Sequence, residues 1–244
     1  MKIKKIIKKV TRNINKIMRS FDKNIYISIG ENCLCDNILE RNKLKSFSSP
    51  YASGRSNIEY LIAHEKESFK DFLNTEFLQH ENLTDGKKVA RNKKYVSTKN
   101  SYHSSCSEGF EFTHHDVLGS SDMKSKIQKR CERMMSLKNK NIIMLYHHRL
   151  CDGTDEELLL SDLSEFAKMY EKKNNTAYIF LFSQIIVENP EERRIERTAL
   201  ENVNMYKLYT LNEWSGEDQD IFWARCDDDL LKTMIDDMKS LRKN

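Results

Sequence analysis

Four short apolar runs, each about the length of a strand, constrain this chain more than any other feature. Residues 25–29 (IYISI), 141–146 (NIIMLY), 177–187 (AYIFLFSQIIV) and 205–211 (MYKLYTL) are rich in β-branched and aromatic side chains. They show little of the apolar–polar alternation of a half-solvated strand, so each needs cover on both faces. Helical spacing supplies that cover: apolar residues recur at three and four over 33–43, 56–63, 66–79, 121–137, 158–170 and 230–241. Strands alternating with such helices predict an α/β fold, a mainly parallel sheet with helices on both faces and right-handed crossovers. The 244 residues include only seven glycines and two prolines, which excludes collagen-like, Gly/Pro-rich disordered and turn-dense small-β architectures. Residues 45–55 read as a turn-rich loop, and 110–115 as the end of a strand. The polar stretch 81–108 reads as an insertion or mobile loop with short strands at 95–97 and 102–105.

The formal net charge of +4 conceals an asymmetry. Residues 1–24 hold nine Lys/Arg against one acid, Asp22, whereas the remaining chain is net acidic. Ile3, Ile6, Ile7, Val10, Ile14, Ile17 and Met18 form one apolar stripe opposite those cations, predicting a basic amphipathic N-terminal helix. Such an arm suits an anionic membrane surface, where each basic residue adds about 1 kcal/mol. A helix docked on the globular body is the structural alternative. A nucleic-acid arm is disfavoured because the acidic remainder would repel phosphate. The expected organisation is thus an arm over 1–24 and one α/β domain over 25–244. No apolar run approaches the ~18–20 residues of a membrane span. Six cysteines without an export signal or a disulfide-like spacing read as reduced thiols. The expected location is therefore cytoplasmic, peripheral on the inner face of the membrane.

In open α/β sheets, ligands bind beyond the carboxyl ends of the strands. Three polar groups fall there: 31–33, 113–116 and 147–151. Cys33 follows a strand–glycine turn and opens a helix, where first-turn N–H groups and the macrodipole favour an anion. A thiol in that position is a candidate nucleophile with a lowered pKa, and the same N–H groups could form an oxyanion hole. The competing reading is a small buried hydrophobe, the usual fate of a free cysteine and the expected one for Cys35. His114 or His115 is the candidate base, with Asp116 to orient it. Gly30, Asn32, His148 and Arg149 are candidates for holding an anionic substrate group. Two H-x-x-C pairs, His103/Cys106 and His148/Cys151, offer a zinc alternative. The Asp218-Gln219-Asp220 triplet has a D-x-D form, while Asp227–Asp229 read as complementing a helix dipole. No P-loop, G-x-G-x-x-G or G-x-S-x-G is present, and no metal or cofactor is expected.

The run ISIGENCLCDNILERNKLKSFSSPY (27–51), then GFEFTHHD (109–116), a helix bearing Lys126, Lys129, Arg130 and Arg133, and the strand NIIMLYHHR carry a family resemblance. Together they resemble a bacterial family labelled "putative papain-like cysteine peptidase" over roughly residues 25–187. The resemblance puts the family cysteine on Cys33 and its histidine on His114 or His115. The chain departs from the family's Pro-Phe-Asp-Trp segment, which here reads Pro50-Tyr51-Ala52-Ser53. It implies a cysteine-dependent hydrolase or acyl transferase linked to cell-surface polysaccharide. The alternatives are a glycan-assembly transferase using a nucleotide or phosphorylated donor, and a non-catalytic membrane-peripheral protein.

Overall fold

The computed structural model describes residues 23–83, 86–97, 99–172 and 174–241. The expected amphipathic arm and its membrane contact therefore fall almost wholly outside the described residues. Chain order runs β1 (Asn24–Gly30), α1 (Leu34–Arg41), α2 (Ile58–Lys66), β2 (Leu78–Asn82), β3 (Lys88–Asn92), β4 (Phe110–Phe112), α3 (Ser121–Met135) and β5 (Asn141–His147). It continues through α4 (Glu156–Glu171), β6 (Thr176–Ile186), β7 (Arg194–Leu200), β8 (Val203–Thr210), the single turn α5 (Gln219–Phe222) and α6 (Asp228–Ser240).

The four apolar runs pair as expected. The main sheet has the order β1-β5-β6-β8-β7; β1, β5, β6 and β8 are parallel, and β7 joins β8 antiparallel. Strand pleating divides the side chains between two cores. Ile27, Ile142, Met144, Ile179 and Leu181 face α2, α3 and α4, while Tyr26, Ile143, Leu145, Phe180 and Phe182 face α1 and α6. Caps fix the helix starts: Asn57, Ser120 and Asp155 each accept a first-turn N–H of α2, α3 and α4.

Both edges of the sheet are protected. Residues 46–49 run along β1, with Ser46 N–H on Tyr26 O at 2.9 Å and Ser49 Oγ on Ser28 O at 2.5 Å. At the other edge β7 is almost entirely exposed and carries three charges in seven residues; Arg194 stacks on the Tyr209 ring at 3.6 Å and Arg197 pairs with Asp237 at 3.2 Å. That composition lacks a continuous apolar run, so the sequence does not mark the strand.

Two expectations fail in the segment between α2 and α3. Residues 67–77 are turns and not a helix, because Ser68 and Phe69 take φ of 52° and 58°, left-handed values that interrupt helical geometry. Within 81–108, the strands lie at β2 and β3 and not at 95–97 or 102–105; with β4 they form a second, antiparallel sheet. Ion pairs bind this sheet: Arg91 reaches Glu81 at 2.5 Å and the fully buried Glu111 at 2.6 Å. Alternating-hydrophobicity patterns do not reveal strands joined this way.

Phe72 ties the two sheets together, meeting Phe110 and Phe112 of β4 at 4.8 and 5.1 Å between ring centres and Tyr51 at 6.1 Å. Its side chain is fully buried. Phe72→Ala is expected to destabilise the protein by about 3–5 kcal/mol, read as a lowered midpoint in urea unfolding.

Candidate active site

Beyond the carboxyl ends of β1 and β5 the chain makes a turn that only glycine allows. Gly30 has φ of +144°, and a Cβ there would stand 3.1 Å from both Ser56 Oγ and the Tyr146 ring. Glu31 follows, only 1% exposed. Its Oε1 accepts from His148 Nδ1 at 2.7 Å and Tyr146 OH at 3.2 Å, and its Oε2 accepts the Arg149 N–H at 3.0 Å. Its N–H donates to His147 O at 3.1 Å and its carbonyl accepts the Ser56 N–H at 2.8 Å. The carboxylate sets the tautomer of His148, whose Nε2 then faces Thr154 Oγ1 at 3.2 Å.

Clamped in this way, the turn delivers α1. Asn32 Oδ1 accepts the Leu34 N–H at 2.9 Å, so Asn32 acts as a cap for the helix start. Cys33 occupies the N-cap position, half-buried. Cys35 is sealed in the core and donates its S–H to Gly30 O at 2.9 Å, consistent with the packing role expected of it. Cys33 opens onto a cleft of about 500 Å3. The cleft brings together two thiols (Cys33, Cys106), two imidazoles (His103, His114), three cations (Arg55, Lys87, Arg149) and an aromatic wall of Trp214, Phe222 and Trp223. Gly54 lets the 53–55 turn approach β4 closely, since a Cβ would come within 2.5 Å of Glu111 O.

The electrostatics differ from the sequence expectation at one point. Burial pushes the Cys33 thiol up, outweighing the lowering by its own N–H, Arg55 and Lys87. Partial desolvation thus defeats the helix terminus, and the resting sulfur holds its proton. Burial, then Lys87, push His114 below the usual histidine value; Glu111 pulls the other way, and Arg55 adds a smaller push downward. At neutral pH the pair is thiol and neutral imidazole. Cys33 and His114 share Arg55 and Lys87 as their electrostatic neighbours. His103 has its Nδ1 committed to Ser105, with Oγ at 2.8 Å and N–H at 3.2 Å. Cys106 is buried, its thiol pushed up to about 12.

The remaining predicted residues are placed as follows. His115 lies outside the cleft lining, with Nε2 3.3 Å from Arg130 Nη2. The Asp116 carboxylate engages His80 Nε2 at 3.0 Å and the Gly119 N–H at 2.8 Å, so it contacts neither His114 nor His115. Gly30 and His148 belong to the clamp beneath the cleft, whereas Asn32 and Arg149 line it. Arg149 is held at 2.5 Å by Glu213. The zinc alternative finds no support: His148 is engaged by Glu31 and Thr154, and among the described residues no group of three or more His, Cys, Asp or Glu side chains is placed to hold a metal ion. Asp218 caps α5 and Asp220 pairs with Arg225, while Asp228 and Asp229 occupy the first turn of α6. No helix among the described residues is long and apolar enough to cross a membrane.

Arg55, Lys87 and the aromatic wall carry no signal in the sequence, and Glu31 is marked there only as part of the polar group 31–33. They come from five separate segments, and no spacing rule joins residues that meet only after folding. Sequence spacing marks His103 only as a candidate zinc ligand.

Three imidazoles are kept neutral by burial. His64 and His147 are held down at about 3, and His115 at about 4, the last also repelled by Arg130. Unfolding frees each to take up a proton below about pH 6.5. The unfolded state therefore binds more protons than the native state, and stability present above pH 6.5 is lost as pH falls toward 4. Urea midpoints measured from pH 7 to 4 are expected to fall, with a shallower slope in His147→Phe; a flat profile would contradict the assignment.

Residues 24–188 match the family described as "putative papain-like cysteine peptidase". That span is more than half of the chain, which therefore belongs to this family. No curated protein and no solved structure gives a significant match.

Proposed function

From membership of that family, we propose that the protein is a cysteine-dependent hydrolase or acyl transferase working in the cleft at the end of β1. Cys33 is the nucleophile and His114 the base. The observation that carries this reading is that Cys33 and His114 line one cleft and share Arg55 and Lys87 as cationic neighbours. His114 makes no hydrogen bond with any described residue, which leaves its ring free to accept a proton. His103 is less suited, with Nδ1 already engaged by Ser105.

Because the resting thiol is protonated and the imidazole neutral, the chemistry is general-base catalysis and not attack by a preformed thiolate. His114 takes the S–H proton as sulfur attacks the acyl carbon. The developing oxyanion is stabilised by N–H groups at the start of α1 and by the cationic side of the cleft. Collapse expels the leaving group, which takes the proton from the imidazolium, and water or a second acceptor then cleaves the thioester. His115 and Asp116 take no part in this reading, since Arg130 and His80 hold them elsewhere.

Two finer elements rest on sequence. The family resemblance supports a link to cell-surface polysaccharide metabolism. The basic stripe over residues 1–24 supports attachment to an anionic membrane surface. One feature favours the transferase with a phosphorylated donor: three cations and two indoles line the same cleft. Stabilisation by a panel of sugar nucleotides in a thermal-shift assay, retained in Cys33→Ser, would favour that reading over acyl transfer.

The general acyl donor p-nitrophenyl acetate tests the main reading. The wild-type protein is expected to release a burst of about one equivalent of p-nitrophenolate. Cys33→Ser abolishes the burst, and His114→Ala slows it by roughly 10²–10⁴-fold. Cys106→Ser leaves it intact. A burst that survives Cys33→Ser rejects the assignment.

A further inference from the structure

A second concave site lies away from the cleft and shares none of its lining residues. It is a groove of about 750 Å3 between the end of α1 with the following loop, residues 43–48, and the exposed face of α3. Six cations line it: Lys43, Lys45, Lys126, Lys129, Arg130 and Arg133; Glu40 is the one acid among its lining residues. Lys45 is neutralised by Asp36 at 2.6 Å and Glu40 at 3.2 Å, and Lys126 by Asp122 at 2.6 Å. The other four have no carboxylate partner within 4.0 Å among the described residues.

Two of those four are held in place without being neutralised. Arg130 is more than half buried; its Nη1 reaches Ser49 O at 3.5 Å and its Nη2 the ring of His115 at 3.3 Å. His115 stays neutral there, so it supplies an acceptor lone pair but no charge. Arg133 stacks over the Phe47 ring at 5.0 Å, a contact that orients the guanidinium and leaves its donors available. Four like charges without a direct ion pair in one concave surface repel one another; Asp36 attracts Arg130 only from beyond ion-pair distance, and the guanidinium's partial desolvation adds to the cost. A salt bridge would have been the ordinary way to relieve both. Planar guanidiniums beside flexible ammoniums are the donor set that recognises phosphate, and the volume lies in the range of small-ligand sites.

We propose that this groove binds an anion bearing two or more phosphate groups, with Lys129, Arg130 and Arg133 of α3 as its principal contacts. The chemistry is shared by a free phosphorylated molecule and by phosphate headgroups presented on a lipid surface. Sodium tripolyphosphate serves as the soluble probe and vesicles containing phosphatidylglycerol as the lipid one, both with the full chain.

Lys129 and Arg133 are exposed, so Lys129→Gln/Arg133→Gln removes two contacts without disturbing the core. Lys66→Gln/Lys168→Gln is the control, removing two exposed cations outside the groove. Titration calorimetry is expected to give one tripolyphosphate per chain in the wild type and the control. At least a tenfold weaker affinity is expected in the groove variant. If the groove variant also binds the vesicles more weakly, the phosphate is displayed by lipid; if its vesicle affinity equals the wild type's, that binding belongs to the basic stripe over residues 1–24 and the ligand of the groove is soluble. Equal tripolyphosphate affinity in all three proteins, or none in the wild type, overturns the proposal.

Discussion

A carboxylate with almost no access to water sits where β1 gives way to the helix that carries Cys33. Glu31 is acceptor to an imidazole, a phenol and a backbone N–H, all three from the end of β5. An unpaired charge at that depth would cost several kcal/mol, so the partners are a condition of its burial. With them in place, the ends of two neighbouring parallel strands are locked in one geometry. Cys33, two residues on, inherits its position from that lock. The cleft depends on it on both sides, since Arg149 follows His148 directly and Asn32 follows Glu31 directly.

The second sheet and the main sheet build the rest of the cleft. His114 comes two residues after β4, and β4 is anchored through Arg91–Glu111 and the aromatic cluster around Phe72. Arg55 is joined to the same strand by backbone bonds to Glu111 of 3.0 and 2.9 Å. The proposed nucleophile thus follows a strand of the parallel sheet and the proposed base a strand of the antiparallel one. The cleft lies where the two meet, so packing between the sheets holds the proposed pair along one opening. Desolvation in that junction keeps the sulfur protonated, which gives the base its role.

Much of this was legible in the sequence, for a physical reason. Parallel strands buried on both faces must be continuously apolar, so 141–146 and 177–187 could be recognised from composition alone. The strand–glycine–cysteine order likewise placed Cys33 at a helix start. What stayed hidden was held by charge and not by apolar contact. β7 is an exposed edge strand, β2 and β3 are joined by Arg91 and its carboxylates, and Glu31 stands in the sequence only as one member of the polar group 31–33, with nothing to mark its burial. The choice between His114 and His115 was open in sequence because adjacent residues diverge only when the backbone is known; here Arg130 engages His115. The assumed low thiol pKa failed because sequence shows the helix terminus but not the burial that opposes it.

The central claim is that one sulfur, deprotonated by the imidazole of His114, accepts an acyl group. Peptide mapping after brief exposure to p-nitrophenyl acetate at neutral pH tests it most directly. The account predicts a thioester on Cys33 alone, missing in His114→Ala while Cys151 and Cys226 remain unmodified. Acetyl groups spread over the exposed thiols and lysines, or a Cys33 thioester that forms equally fast without His114, would contradict it.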